Sequence, residues 1–259
     1  MNPTPSAPES VEPTTWEHYD LWIRVREAIR AVPDRFSTPT VIEGLLVTDI
    51  FTLNTPLAAT IEEQVVKTLN MLRPVWDVNR TYQTYSFVRQ PQTFPDVVLR
   101  RNDNGQDILM GIELKGWYLL AREGVPTYRF TATAAACNPW DILVVVPWVL
   151  SNVLAGSPVI FAPFIETALY CAQQRNYYWQ YERTAGSDSS ITIPNGVRPY
   201  PLKSDQISDK PAHDGGGNFG RIARYGVMNE YIARMKASRV RGIKVSDWLK
   251  FLELHASDI

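Results

Sequence analysis

The chain has 259 residues, 45 % of them hydrophobic, and a formal net charge of −1. That is enough apolar material for a packed core, and too little positive charge for a protein that holds nucleic acid by bulk electrostatics alone. Two cysteines (Cys137, Cys171) and three scattered histidines (His18, His213, His255) exclude a disulfide scaffold, a zinc-finger spacing and an HNH-type arrangement, and fit a reduced, cytoplasmic protein.

Residues 1–15 are polar and proline-rich, lack the apolar stretch of a signal peptide and read as a disordered tail. Residues 16–32 have helical periodicity, with Trp22, Val25, Ile29 and Val32 on one stripe and Pro33 as the stop. Residues 38–54 are mixed. Thr55-Pro56, a cap followed by proline, opens a helix to Leu72 whose inner face is Leu57, Ile61, Val65, Leu69 and Leu72. Glu62 lies at the edge of that stripe and Glu63 points away. A first strand is expected over 81–88, with Tyr82, Tyr85 and Phe87.

The most informative segment follows. Pro95-Asp96 leads into Val97-Val98-Leu99, and Ile108–Ile112 leads into Glu113-Leu114-Lys115. Asn104-Gly105 between the two runs is a hairpin-turn dipeptide. Side chains in a strand alternate faces. Ile108, Met110, Ile112 and Leu114 therefore share an apolar face, and Gly111, Glu113 and Lys115 the other, with the glycine leaving room for a ligand. An antiparallel hairpin brings Asp96 and Glu113 together. Two carboxylates and a lysine at adjoining strand ends are suited to metal-assisted cleavage of a phosphodiester. The competing reading is a solvent-facing pair on an edge strand, and the apolar Trp117–Leu120 that follows argues for burial instead.

FPDVVLR and GIELKGW resemble the PD-(D/E)XK nuclease superfamily, which includes many type II restriction endonucleases; the resemblance covers about residues 55–150. It implies an α/β restriction-endonuclease-like core, a mixed central β-sheet flanked by helices. It also implies Asp96, Glu113 and Lys115 as catalytic residues, and Mg²⁺ held by Asp96, Glu113 and the Leu114 backbone carbonyl, with Glu62 as the glutamate the preceding helix often supplies. The activity implied is site-specific hydrolysis of double-stranded DNA by a two-fold dimer, in a system with a cognate DNA methyltransferase. The alternatives are a nuclease of the same fold used in repair, phage defence or mobile elements, and a binding module that has lost catalysis.

Beyond the motif, an extended piece over 127–131, a short helix over 132–138 and a buried strand over 142–146 are expected. Residues 142–165 carry no charge, but Pro147, Pro158 and Pro163 argue against a membrane span; 148–154 reads as a short helix or turn. A helix over 166–181 carries Arg175, Asn176 and Gln180 among aromatic residues, a cluster that packs in the core in the commoner reading and contacts DNA in the other, and 184–190 reads as a flexible loop. The glycine-rich 214–220 is expected to open a helix over 218–236 and to offer Asn218, Arg221 and Arg224 to DNA. A last helix is expected from Ser246. Eight Lys/Arg against two acids over 218–250 give a local +6, leaving the rest at −7. The expected organisation is a tail (1–15), an N-terminal helical region (16–54), the nuclease core (55–182) and a basic, mainly helical DNA-contacting region (183–259).

Overall fold

The computed structural model describes residues 5–46, 54–90, 92–103, 107–183 and 188–256. The expected Asn104-Gly105 turn, most of the 184–190 loop and the side chains of Thr55 and Pro56 lie outside the described residues. Helix α1 (Tyr19–Arg35) buries Leu21, Trp22, Val25, Ala28, Ile29 and Val32. It runs past its expected stop, with Pro33 inside the last turn. A proline there removes only one N–H, and the Phe36 N–H still closes the turn onto the Val32 carbonyl at 2.8 Å. Helix α2 (Asn54–Met71) buries Leu57, Ile61, Val65 and Leu69, and the single turn α3 (Arg73–Trp76) adds Trp76.

Strands β1 (Tyr85–Arg89), β2 (Val97–Arg101) and β3 (Ile108–Tyr118) form an antiparallel meander. Strand β4 (Ile142–Leu150) runs parallel to β3, from Ile112↔Ile142 to Tyr118↔Trp148. The other edge of β4 is shared by β5 (Pro158–Ile160) and β6 (Phe164–Thr167), both antiparallel to it. The protein is thus a mixed α/β fold with a mixed central sheet. Helices α1 and α2 meet the face that carries Ile112, Leu114, Val144 and Val146, where Ile29, Val32, Val65 and Leu69 close the core.

Two expectations fail here for physical reasons. The turn expected at 148–154 is replaced by strand as far as Leu150, because β4 continues through Pro147. The edge Pro147 faces is where its neighbour changes, β6 pairing with 142–145 and β5 with 148–150. Its carbonyl accepts from the Phe161 N–H (2.8 Å), and its missing N–H costs no ladder bond at that junction. The helix expected at 132–138 is only a 3-10 turn, Ala134–Ala136. The chain before it is held extended: the Phe130 N–H donates to the Gly220 carbonyl (2.7 Å), the Asp209 N–H to the Thr131 carbonyl (2.9 Å), and the Thr133 N–H to the Ile207 carbonyl (2.7 Å). The charge-free 142–165 stretch is sheet and connection, and no described helix is long and apolar enough to cross a membrane.

Helix α4 (Ala168–Tyr177) starts later than expected because Glu166 belongs to β6, and Thr167 caps it by accepting from the Tyr170 N–H at 3.4 Å. A π-turn (Tyr178–Glu182) ends it. The short pair β7 (Ile191–Thr192) and β8 (Lys210–Pro211) follows. The continuous helix expected over 218–236 is a 3-10 turn (Ile222–Arg224) and then α5 (Asn229–Ala237), separated by Gly226 in the left-handed region (φ 85°). The hairpin β9 (Arg239–Val240) and β10 (Ile243–Lys244) leads into α6 (Val245–Ala256). Buried Tyr225, Met228, Ile232 and Met235 are continuous with the core of the sheet.

Arg175 locks these layers. It is 1 % exposed, donates to the Phe130 and Ala132 carbonyls (2.8 and 3.0 Å) and pairs with Asp209, itself 2 % exposed. Arg175→Met leaves Asp209 buried without its cation and should cost about 3 kcal/mol in urea unfolding; an unchanged midpoint would show that Arg175 does not clamp the layers.

Candidate active site

The site lies where β2 begins against the middle of β3. The ladder ends at Val97↔Ile112, and the next pair in register is Asp96 opposite Glu113. Here the side chains take over from the backbone. The Asp96 N–H donates to Glu113 Oε2 at 3.3 Å, and the Leu114 N–H donates to Asp96 Oδ2 at 3.0 Å. Lys115 lies on the same face as Glu113 and bridges the two acids, its Nζ 2.9 Å from Asp96 Oδ2 and 2.8 Å from Glu113 Oε1. Asp96, Glu113 and Lys115 are therefore one hydrogen-bonded cluster.

Exposure is graded across the cluster. The Glu113 side chain is 9 % exposed, whereas Asp96 and Lys115 are 25 % and 21 % exposed, so a solute meets the latter two first. Burial pushes the Glu113 carboxyl up to about 7, with Lys115 pulling it down and Asp96 adding to the rise. Burial acts to lower the Lys115 ammonium, but the charges of Glu113 and Asp96 outweigh it and hold the group above its ordinary value.

Glu62, on α2, reaches the rim of this cluster. Its Oε2 is 3.1 Å from an Arg89 Nη on β1. Burial raises its carboxyl, the charge of Asp96 raises it further, and Lys115 and Arg89 pull it back. Glu63 points to solvent and pairs with Lys67 at 2.7 Å. The Leu114 carbonyl is available to a ligand by direction. A strand residue turns its N–H and C=O to the same edge, and the Leu114 N–H points to Asp96, beyond the start of β2.

The donor set fits a hard divalent cation. Two carboxylates and a carbonyl are oxygen ligands of the kind Mg²⁺ takes, and Mg²⁺ keeps several waters rather than demanding a full protein cage. Among the described residues no group of three or more His, Cys, Asp or Glu converges as a ready-made cage. In this structure the cation between Asp96 and Glu113 is the Lys115 ammonium.

Sequence reasoning missed three parts of the site. Arg89 pairs with a residue 27 positions away. Asp141 is fully buried, accepts from the Gly111 N–H (2.6 Å), the Asn138 N–H (2.8 Å) and the Tyr200 hydroxyl (3.0 Å), and is pushed by burial up to about 6. The only available signal was an acid immediately before an uncharged run. Gly111 leaves no room for a ligand: Pro95 fills the space, and a Cβ there would overlap the proline ring. The packing of Pro95 on Gly111 sets the approach of Asp96 to Glu113.

The expected DNA-contacting residues separate into two groups. Arg175 faces the interior and cannot touch DNA, and Asn176 donates to Asp209 Oδ2 at 2.8 Å and accepts from the Arg175 side chain at 3.0 Å. Gln180 and Arg224 are exposed, and Asn218 and Arg221 half-buried. The glycine loop is not an open anion cradle. The N–H groups of Asn218 and Phe219 both donate to Asp214 Oδ1 (2.6 and 2.9 Å), so the chain's own carboxylate occupies it. Arg129 lies where a side chain at Gly217 would be, and Arg221 Nε donates to the Gly217 carbonyl at 3.2 Å.

Two outcomes follow from this geometry. Gly111→Ala should lose about 2 kcal/mol in urea unfolding, because Pro95 must move; wild-type stability would show that the contact does not set the strand spacing. For Glu113, the raised carboxyl favours the fold fully below its ordinary pKa of 4.5, and that contribution is lost as pH rises through about 7. Glu113→Gln should therefore lose less stability than the wild type between pH 6 and pH 8, by about 1 kcal/mol. Parallel pH profiles would contradict the burial of a titrating Glu113. No protein-family model, curated protein or solved structure matches this chain.

Proposed function

We propose that the protein is a Mg²⁺-dependent deoxyribonuclease that hydrolyses phosphodiester bonds of double-stranded DNA, in the manner of the PD-(D/E)XK superfamily. The observation that carries this reading is the Lys115 ammonium bridging Asp96 and Glu113 where β2 begins against the middle of β3, with Asp96 and Lys115 part-exposed. A cation bound by the two carboxylates would supply Lewis-acid polarisation of a phosphoryl oxygen and a more acidic bound water. Asp96 and Glu113 provide the oxygens for it, and the Leu114 carbonyl faces the same edge. Lys115 would place a positive charge beside a phosphate drawn to a cation that those oxygens hold; its Nζ can donate to the attacking water and stabilise charge developing on the phosphate. Glu62 adds a third carboxylate at the rim.

The narrower proposal is a type II restriction enzyme. Its support is the near-neutral chain, which suits a specific enzyme with few directed contacts, and the exposed or half-buried basic residues Arg221 and Arg224 in the +6 region. Cutting both strands of a palindrome calls for a two-fold homodimer, and a restriction role for a cognate methyltransferase. The other nuclease roles of the same fold would use the same cluster. An inactive binding module is disfavoured, because Asp96, Glu113 and Lys115 are all intact and meet in one cluster.

The purified protein should cut unmethylated phage DNA with Mg²⁺ and not with EDTA, and Asp96→Ala and Lys115→Ala should each lower the rate at least about a hundredfold. Discrete fragments support the restriction reading and a smear a non-specific nuclease. DNA binding with no cleavage on several DNAs, with Mg²⁺ or Mn²⁺, would sink the nuclease reading in favour of the binding module.

A further inference from the structure

Five charged side chains meet at the site: the acids Glu62, Asp96 and Glu113 and the bases Arg89 and Lys115. Lys115 is shared by Asp96 and Glu113, which leaves Glu62 to Arg89. That pairing is a competition. Burial and Asp96 both raise the Glu62 carboxyl, and the positive charges of Lys115 and Arg89 pull it back. In this structure its ion-pair partner is Arg89, on the adjoining strand β1 and 31 % exposed at its side chain. A cation between Asp96 and Glu113 would be a second partner for the same carboxylate. While Oε2 keeps its 3.1 Å contact with Arg89, Glu62 can offer a cation only its other oxygen.

The arginine has an alternative partner of its own. A guanidinium pairs with two phosphate oxygens at once, a better match than its single contact with Glu62 Oε2 at 3.1 Å. Arg89 is also tied to the site by its strand. The chain turns directly after it, with the Gln90 N–H donating to the Asp96 carbonyl at 2.7 Å. A phosphate near Asp96 is therefore also near Arg89.

We propose that Arg89 is a positioning residue that holds Glu62 off the cation site until a nucleic-acid phosphate draws the arginine away and frees Glu62 to join the cation. This rests on the nuclease reading of the same site. It makes phosphate binding and cation binding help each other, with Arg89 carrying the coupling.

The test measures Mn²⁺ affinity by electron paramagnetic resonance, with and without a phosphorothioate duplex that resists cleavage, in the full-length protein. In the wild type the duplex should tighten Mn²⁺ binding. Arg89→Ala should tighten Mn²⁺ about threefold without DNA, the scale of losing one partly exposed ion pair, and should reduce the further effect of the duplex. Arg89→Lys should fall between the two. The double variant Arg89→Ala/Glu62→Gln should bind Mn²⁺ as Glu62→Gln does, because the arginine acts only through that carboxylate. Unchanged Mn²⁺ affinity and unchanged coupling in Arg89→Ala, with Asp96→Ala still abolishing Mn²⁺ binding, would overturn the role of Arg89 and leave the nuclease reading standing. Mn²⁺ binding that ignores Asp96→Ala would overturn both. Thermal melting of each variant checks folding, and the Arg89→Lys comparison holds even if the alanine variant is destabilised.

Discussion

The site depends on one interaction, the bridge from Lys115 to Asp96 and Glu113. Glu113 is nearly buried, and a carboxylate taken from water needs a nearby cation or a proton. Asp96 stands at the first position where the β2–β3 ladder has no backbone partner to offer. The lysine answers both needs, and the two acids complete the ladder with side-chain hydrogen bonds. The start of β2 is thus held to the middle of β3 by the attraction of two carboxylates for one ammonium.

Around that bridge the fold fixes distance rather than chemistry. Pro95 packs on Gly111, Asp141 holds the Gly111 N–H from the other side, and the parallel pairing of β3 with β4 fixes Glu113 beside Leu143. None of these contacts touches a solute. They place two carboxyl groups within reach of one ammonium. Arg175 works at a longer range, tying the extended segment after β3 to the chain at 209.

The sequence made the central cluster readable because it depends on alternation along one strand and on one hairpin. Positions 113 and 115 share a face in any strand, and a short polar link between two apolar runs sets the return of position 96. Contacts between distant parts of the chain left no such trace. The 27 residues separating Glu62 from Arg89 and the 30 separating Gly111 from Asp141 are bridged only by the folded sheet. Arg175 and Asn176 have the chemistry of a DNA-contacting pair, and Asp209, 34 residues from Arg175, turns them inward together with the Phe130 and Ala132 carbonyls that Arg175 also meets. The glycine loop was similarly misleading, because an anion cradle in sequence is already filled by Asp214 in space. Pro147 shows the reverse error: a residue that normally ends a strand is harmless where two neighbouring strands exchange places.

The most direct test of the account is a crystal soaked in Mn²⁺ and read by anomalous scattering. The expected result is a peak about 2.1 Å from carboxylate oxygens of both Asp96 and Glu113, with the Lys115 ammonium withdrawn from between them. A peak elsewhere, or Lys115 still bridging the two acids at a saturating concentration of Mn²⁺, would contradict the claim that this bridge marks a cation site.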